Sequence, residues 1–151
     1  MALEELYREV ILDHYRNPRN RQPLDRPGSH ADGHNPLCGD EISLDIVIED
    51  DTVTGVSILG RGCSISQSSA SMMSEAIKGK TRAEITELTA RFKAMMNIDT
   101  EGEAGLDPDR PGSVLGDLEA LQGVRKFPVR IKCANLAWTT LEEALSGTST
   151  E

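Results

Sequence analysis

A single change of hydrophobic period limits what this chain can fold into. Ile42, Leu44, Ile46 and Ile48 alternate with Ser43, Asp45 and Val47, the period of two that marks a strand with one buried face. Glu49-Asp50-Asp51 predicts a turn, and the β-branched stretch Thr52 to Leu59 predicts a return strand in which Gly55 marks a bulge or break. Gly60-Arg61-Gly62 closes this sheet region. The other patterned stretches have helical spacing. Leu3, Leu6, Tyr7, Val10, Ile11, His14 and Tyr15 make one apolar stripe ahead of the hairpin, and Asn17-Pro18 ends it, because a residue before proline avoids helical angles. Residues 17–37, with Pro18, Pro23, Pro27, Pro36, Gly28 and Gly33, are expected to form a loop.

Downstream of the hairpin, Ser64 or Ser66 can cap a helix carrying Ala70, Met73 and Ile77, with Gly79 as its terminator. Thr81-Arg82-Ala83-Glu84 is a capping box for a helix bearing Ile85, Leu88 and Phe92. Val114, Leu115, Leu118 and Leu121 give a short helix. Pro128 opens a last one whose apolar face holds Val129, Cys133, Leu136, Ala137, Thr140, Leu141 and Ala144. Between them, residues 97–112 form an exposed acidic insertion rich in glycine and proline. The expectation is an α+β fold: a small antiparallel β-sheet packed by an N-terminal helix and a C-terminal helical segment. It occupies one domain over residues 1–147, and residues 148–151 form a disordered tail.

Composition narrows the function. Only five of the 151 residues are aromatic, so the core must be built from aliphatic side chains, methionine and alanine. Sixteen Lys and Arg against 25 Asp and Glu leave a net charge of -9, which argues against a nucleic-acid or anionic-membrane partner, since phosphate attraction needs a basic surface. No apolar run approaches the ~20 residues of a membrane span. Met1-Ala2-Leu3-Glu4-Glu5 lacks the basic start and apolar run of a signal peptide, so a cytoplasmic protein is expected. In that reducing compartment the odd set Cys38, Cys63 and Cys133 is no disulfide framework; core packing, metal binding and thiol chemistry remain.

Two tempting motifs fail. Gly79-Lys80-Thr81 resembles the end of a phosphate loop, but Ser74 stands where its first glycine belongs. The acidic run from Asp99 resembles a calcium loop, but it puts Ala104 at the turn glycine and Arg110 at the bidentate glutamate. The cysteines carry more. Cys38 lies in the polar loop Asn35-Pro36-Leu37-Cys38-Gly39-Asp40, where Gly39 lets a thiolate and the Asp40 carboxylate converge. Cys63 stands where strand gives way to helix, at the positive end of the helix dipole. Cys133 lies about one and a half turns into the last helix, on an apolar face where a cysteine can equally be core. Three thiolates and a carboxylate suit tetrahedral zinc, and thiolates also suit iron, but without a CxxC pair spacing leaves ligand and core roles both open. His34 shares the loop of Cys38, His14 falls on the packed stripe, and His30 has no context; none is a strong ligand.

Three segments in order, Asn35-Pro36-Leu37-Cys38-Gly39-Asp40, Gly60-Arg61-Gly62-Cys63-Ser64-Ile65-Ser66 with Ala70-Ser71-Met72-Met73, and Phe127-Pro128-Val129-Arg130-Ile131-Lys132-Cys133-Ala134, resemble the NifU/IscU-like iron–sulfur assembly family. Lys132 stands where IscU-type scaffolds carry a histidine, and with the 97–112 insertion this is similar to the SufU branch. The resemblance implies a sheet of about three strands and a metal site of Cys38, Asp40, Cys63 and Cys133, usually filled by zinc in that branch. It also implies a SUF-type cysteine desulfurase as partner, with downstream iron–sulfur assembly proteins beyond it. Cys38, in the loop with the most glycine and proline, is the expected sulfur acceptor, working with the desulfurase rather than as a stand-alone enzyme. Two alternatives follow from the same ligands: a scaffold holding an iron–sulfur cluster, or a structural zinc-binding interaction domain.

Overall fold

The computed structural model describes residues 3–24, 28–35, 39–96 and 115–149. Cys38 and the insertion 97–112 lie outside them. The order is α1 (Leu3–Arg16), β1 (Ser29–Asn35), β2 (Asp40–Glu49), β3 (Thr52–Arg61), α2 (Ser64–Ile77), α3 (Arg82–Met95), a 3-10 segment (Gly116–Lys126) and α4 (Pro128–Ser149). The strands form one antiparallel sheet in the order β1-β2-β3, with helices against it, as the sequence and the resemblance predict. Among the described residues no helix is long and apolar enough to cross a membrane.

The hairpin forms where its period predicts. Glu49 pairs with Thr52, and the two loop residues Asp50 and Asp51 both take positive φ, 51° and 65°. That left-handed pair matches the twist of the flanking strands, and aspartate tolerates it better than most residues. Val47 pairs with Gly55 but Ile48 with Val53, so the register slips beside Gly55, where the sequence places a bulge. Ile42, Leu44 and Ile46 of β2 and Val53, Val56 and Ile58 of β3 are buried in the core.

Four expectations are corrected. Residues 29–35 are not loop but strand β1, paired with β2 from Ser29↔Ile46 to Asn35↔Asp40. The segment lacks aliphatic alternation because α4 presses on it: a Cβ on Gly33 would sit 1.9 Å from Thr140 Oγ1 and 3.2 Å from Leu136 Cδ1. On α1, Tyr7, Val10 and Ile11 pack on the core and His14 is buried, but Leu6 and Tyr15 at the edges of the stripe are exposed. Val129 is exposed as well, because Phe127 to Arg130 project beyond the core before α4 reaches it. Finally, α4 runs through Gly147 to Ser149, into the stretch expected to be a tail. A glycine in a helix costs about 1 kcal/mol but keeps its backbone N–H. Residues 150 and 151 lie outside the described residues.

The least expected feature is α2. It is buried almost all round, including Ser66, Ser68, Ser69, Ser71 and Ser74. Each hydroxyl is satisfied. Ser68 donates to the Ile11 carbonyl of α1 at 2.8 Å and Ser69 to the Ala134 carbonyl of α4 at 2.7 Å. Small serines let the neighbouring helices approach closely, and their hydroxyls need no water once bonded to helix carbonyls.

Candidate metal centre

Three elements deliver three donors to one point. Asp40 is the first residue of β2, paired with Asn35 and fully buried. Cys63 follows β3 and takes extended angles (φ -70°, ψ 164°) as the N-cap of α2. The cap is therefore the cysteine itself, not Ser64 or Ser66. Cys133 lies in α4 and is 2% exposed. Asp40, Cys63 and Cys133 each offer one donor atom within 4.8 Å of the others.

Hydrogen bonds aim these donors. The Cys63 N–H donates to Asp40 Oδ1 at 2.8 Å, which turns Oδ2 toward the Cys63 sulfur at 3.7 Å. The Ser66 N–H, in the first turn of α2, points at Cys63 Sγ from 3.5 Å, and the Ser66 hydroxyl donates to the Cys63 carbonyl at 3.2 Å. The sulfur thus sits at the positive end of the helix dipole, which favours an anionic donor. Gly62, with φ of +144°, makes the approach possible: a Cβ there would stand 2.1 Å from Asp40 Oδ1 and 2.9 Å from Asp40 Cα. Gly62, read in the sequence as the end of the sheet, thus shapes the candidate site. Its position one residue before a candidate ligand was the available signal.

The donor set suits a zinc ion in chemistry, and the Asp40–Cys63 pair suits it in spacing. Tetrahedral bonds of about 2.3 Å to sulfur and 2.1 Å to oxygen put neighbouring donors about 3.6 Å apart. The Cys63–Asp40 separation of 3.7 Å meets that spacing without rearrangement. Three donors leave one position of the tetrahedron for a fourth.

Of the expected site residues, Asp40, Cys63 and Cys133 converge, while Cys38 lies outside the described residues. His34 is exposed on β1 and is not one of the three. His14 is packed, bonded at 2.8 Å to both Ser71 Oγ and Asp117 Oδ2. His30 lies on the outer sheet face between Asp32 and Asp45, and the hydrogen bonds it donates to those two carboxylates, Asp32 first, hold its pKa above the usual value. Arg130 and Lys132 are exposed surface charges. Glu41, next to Asp40 but on the opposite face of the strand, pairs with Arg61 at 2.7 Å, and that guanidinium holds its carboxyl below the usual range.

The chain is 46% identical over 144 residues to the zinc-dependent sulfurtransferase SufU of Bacillus subtilis, covering 95% of this chain and 92% of that one. It is 40% identical over 144 residues to the iron–sulfur cluster assembly scaffold protein IscU of Streptococcus pyogenes, covering 95% and 84%. Among solved structures, the SufU of Fervidobacterium islandicum, a candidate assembly scaffold of the SUF system, superposes with a TM-score of 0.77 at 31% identity, covering 93% of this chain and 97% of that one. The model of the NifU-like N-terminal domain matches residues 6–134, a span that runs from α1 past all three converging donors, and the chain belongs to that family.

Proposed function

We propose that this protein works in iron–sulfur cluster assembly, accepting persulfide sulfur at Cys38 from a SUF-type cysteine desulfurase and passing it to downstream assembly proteins. The observation that carries the reading is the convergence of Asp40, Cys63 and Cys133 from three separate elements, with donor chemistry and spacing suited to zinc. Cys38 would complete the set. It lies two residues from Asp40 in sequence, so the chain holds its Cα within about 7 Å of Asp40's. A resident zinc would keep the thiols deprotonated and shielded from oxidation.

In the transfer, the Cys38 thiolate attacks the outer sulfur of the partner's persulfide. A sulfur–sulfur bond forms on Cys38, the bond to the partner's cysteine breaks, and that cysteine leaves as thiolate, as in thiol–disulfide exchange. Four anionic donors exceed the two positive charges of zinc, so giving up one thiolate is electrostatically tolerable. Exposed apolar side chains support a docked partner. Phe127 and Val129 are 55% and 58% exposed, and Val129 lies one helical turn before Cys133. The reading places this work in the cytoplasm, where thiols stay reduced.

A scaffold role at the same ligands is the second reading, supported by the scaffold IscU relative at 40% identity. Metal and acid-labile sulfide analysis after purification without oxygen separates the two. One zinc per chain without sulfide supports the acceptor, and iron with sulfide supports the scaffold. Mixing the zinc form with a SUF-type desulfurase and cysteine, followed by thiol labelling and mass spectrometry, should then find a persulfide on Cys38. A persulfide confined to Cys63 or Cys133 would overturn the assignment.

A further inference from the structure

We propose that Ser69 is a positioning residue for the metal centre, setting the separation between the helix end that carries Cys63 and the helix turn that carries Cys133. The inference rests on the metal-centre reading above. Cys63 caps α2 and Cys133 lies in α4, so the distance between their sulfurs depends on how these two helices are locked together. Ser69 is six residues along α2 from Cys63, about 9 Å up the axis. Its hydroxyl donates to the carbonyl of Ala134, the residue after Cys133, at 2.7 Å. It also accepts from the indole N–H of Trp138 at 3.2 Å.

The direction of these bonds is settled by chemistry. An indole N–H can only donate, so Ser69 Oγ must accept from Trp138, and its own hydrogen goes to the Ala134 carbonyl. Ser69, Ala134 and Trp138 are all fully buried, so water cannot substitute for either bond. The indole is held in turn by Phe92 of α3, whose ring stacks on it with centroids 4.4 Å apart and planes 16° from parallel. The serine thus grips one turn of α4, from Ala134 to Trp138, next to the ligand cysteine. A partner bonded directly to a metal ligand changes metal affinity about ten- to a hundredfold when removed; Ser69 acts one bond further back, through the backbone beside Cys133, so the low end of that range is expected.

Removing the serine alone also strands the indole N–H, so the test uses three variants: Ser69→Ala, Trp138→Phe and the two combined. Each is loaded with cobalt(II) as a spectroscopic stand-in for zinc. The thiolate-to-cobalt absorption reports donor geometry, and chelator competition reports zinc affinity. Trp138→Phe keeps the Ser69–Ala134 bond and should bind zinc within about threefold of wild type, with an unchanged cobalt spectrum. Ser69→Ala and the double variant should bind about tenfold more weakly, with a shifted absorption band. The double variant has no stranded indole donor, so it separates positioning from folding. If it regains wild-type affinity and spectrum, Ser69 only satisfies Trp138 and the inference is overturned. Unchanged binding in Ser69→Ala overturns it too. If wild type itself takes up neither metal, the metal-centre reading falls first and this inference with it.

Discussion

Replacing Gly62 with alanine tests the site through its backbone. At φ of +144° an L-residue is strained by about 1–3 kcal/mol. The added Cβ would also collide with the Asp40 carboxylate, 2.1 Å from Oδ1 and 2.8 Å from Cγ. Relief requires Asp40 to swing away, which breaks the 2.8 Å bond from the Cys63 N–H, a buried bond to a charged group worth about 1.5–3 kcal/mol. Together the cost is about 2.5–6 kcal/mol, a large part of the roughly 5–15 kcal/mol that holds a typical domain folded. Gly79→Ala is the control: Gly79 also has positive φ, +77°, but a Cβ there meets nothing within 4 Å, so only about 1 kcal/mol of backbone strain is expected. With a urea slope of about 2 kcal/mol/M, Gly62→Ala should lower the unfolding midpoint by about 1.3–3 M and Gly79→Ala by about 0.5 M. Because the displaced Asp40 leaves the donor triangle, Gly62→Ala should also lose zinc while Gly79→Ala keeps it. Equal midpoints for the two variants, or full zinc retention in Gly62→Ala, would refute the reasoning.

Other expectations follow from the same geometry. Asp40→Asn keeps an oxygen that can accept the Cys63 N–H, so it should remain about 1–3 kcal/mol more stable than Asp40→Ala in urea titrations while both bind zinc more weakly than wild type. Cys63→Ser and Cys133→Ser should largely abolish zinc binding in metal analysis, since both sulfurs belong to the converging trio. His30 is raised by hydrogen bonds to Asp32 and then Asp45, so its contribution to stability is fully present below about pH 6.5 and is lost as pH rises through the higher folded value. Urea midpoints of wild type and His30→Gln should therefore converge with rising pH, and a pH-independent difference would exclude the effect. From the sequence and under the proposed function, neutralising Asp99, Glu101 and Glu103 should slow docking to a SUF-type cysteine desulfurase severalfold at low ionic strength only, because charge steering fades beyond a Debye length of about 10 Å at 0.1 M salt. Stopped-flow rates across a salt series check this.

Elements whose own side chains carry the signal were legible. The hairpin announces itself through Ile42, Leu44 and Ile46, and α3 through its capping box, in which the Glu84 N–H donates to Thr81 and Glu84 accepts the Thr81 N–H. Strand β1 was not legible because its character is dictated from elsewhere. Ala31, Gly33 and Asn35 are small or polar because Thr140 and Leu136 of α4 lie directly over Gly33. The burial of α2 was hidden for a related reason: Ser68 and Ser69 look solvent-facing until the carbonyls of Ile11 and Ala134 are in place to receive them. At the site, the cysteines and Asp40 stood out by residue type and by glycine neighbours. Cysteine is not a preferred cap, so the role of Cys63 as N-cap became visible only once its sulfur was seen beside the Ser66 N–H.

The way the three described donors are held bears on which thiolate is free to act. Asp40 is paired in the sheet, buried, and bonded through Oδ1 to the Cys63 backbone, so its departure would open the β3–α2 junction. Cys63 caps α2, and its loss would strip the first turn of a partner. Cys133 is built into α4, whose next residue is clamped to Ser69. Each of these candidate ligands is tied to a backbone that the core depends on. Cys38 falls between the end of β1 at Asn35 and the start of β2 at Asp40. It adjoins Gly39, whose N–H bonds the Asn35 carbonyl at 2.9 Å and whose surroundings are open. That bond and the Asn35↔Asp40 pair close the strands on either side of this stretch. Under the proposed function, three donors anchored in this way would keep the ion when a fourth is released. Under the proposed function this divides the labour: Asp40, Cys63 and Cys133 hold, and Cys38 transfers.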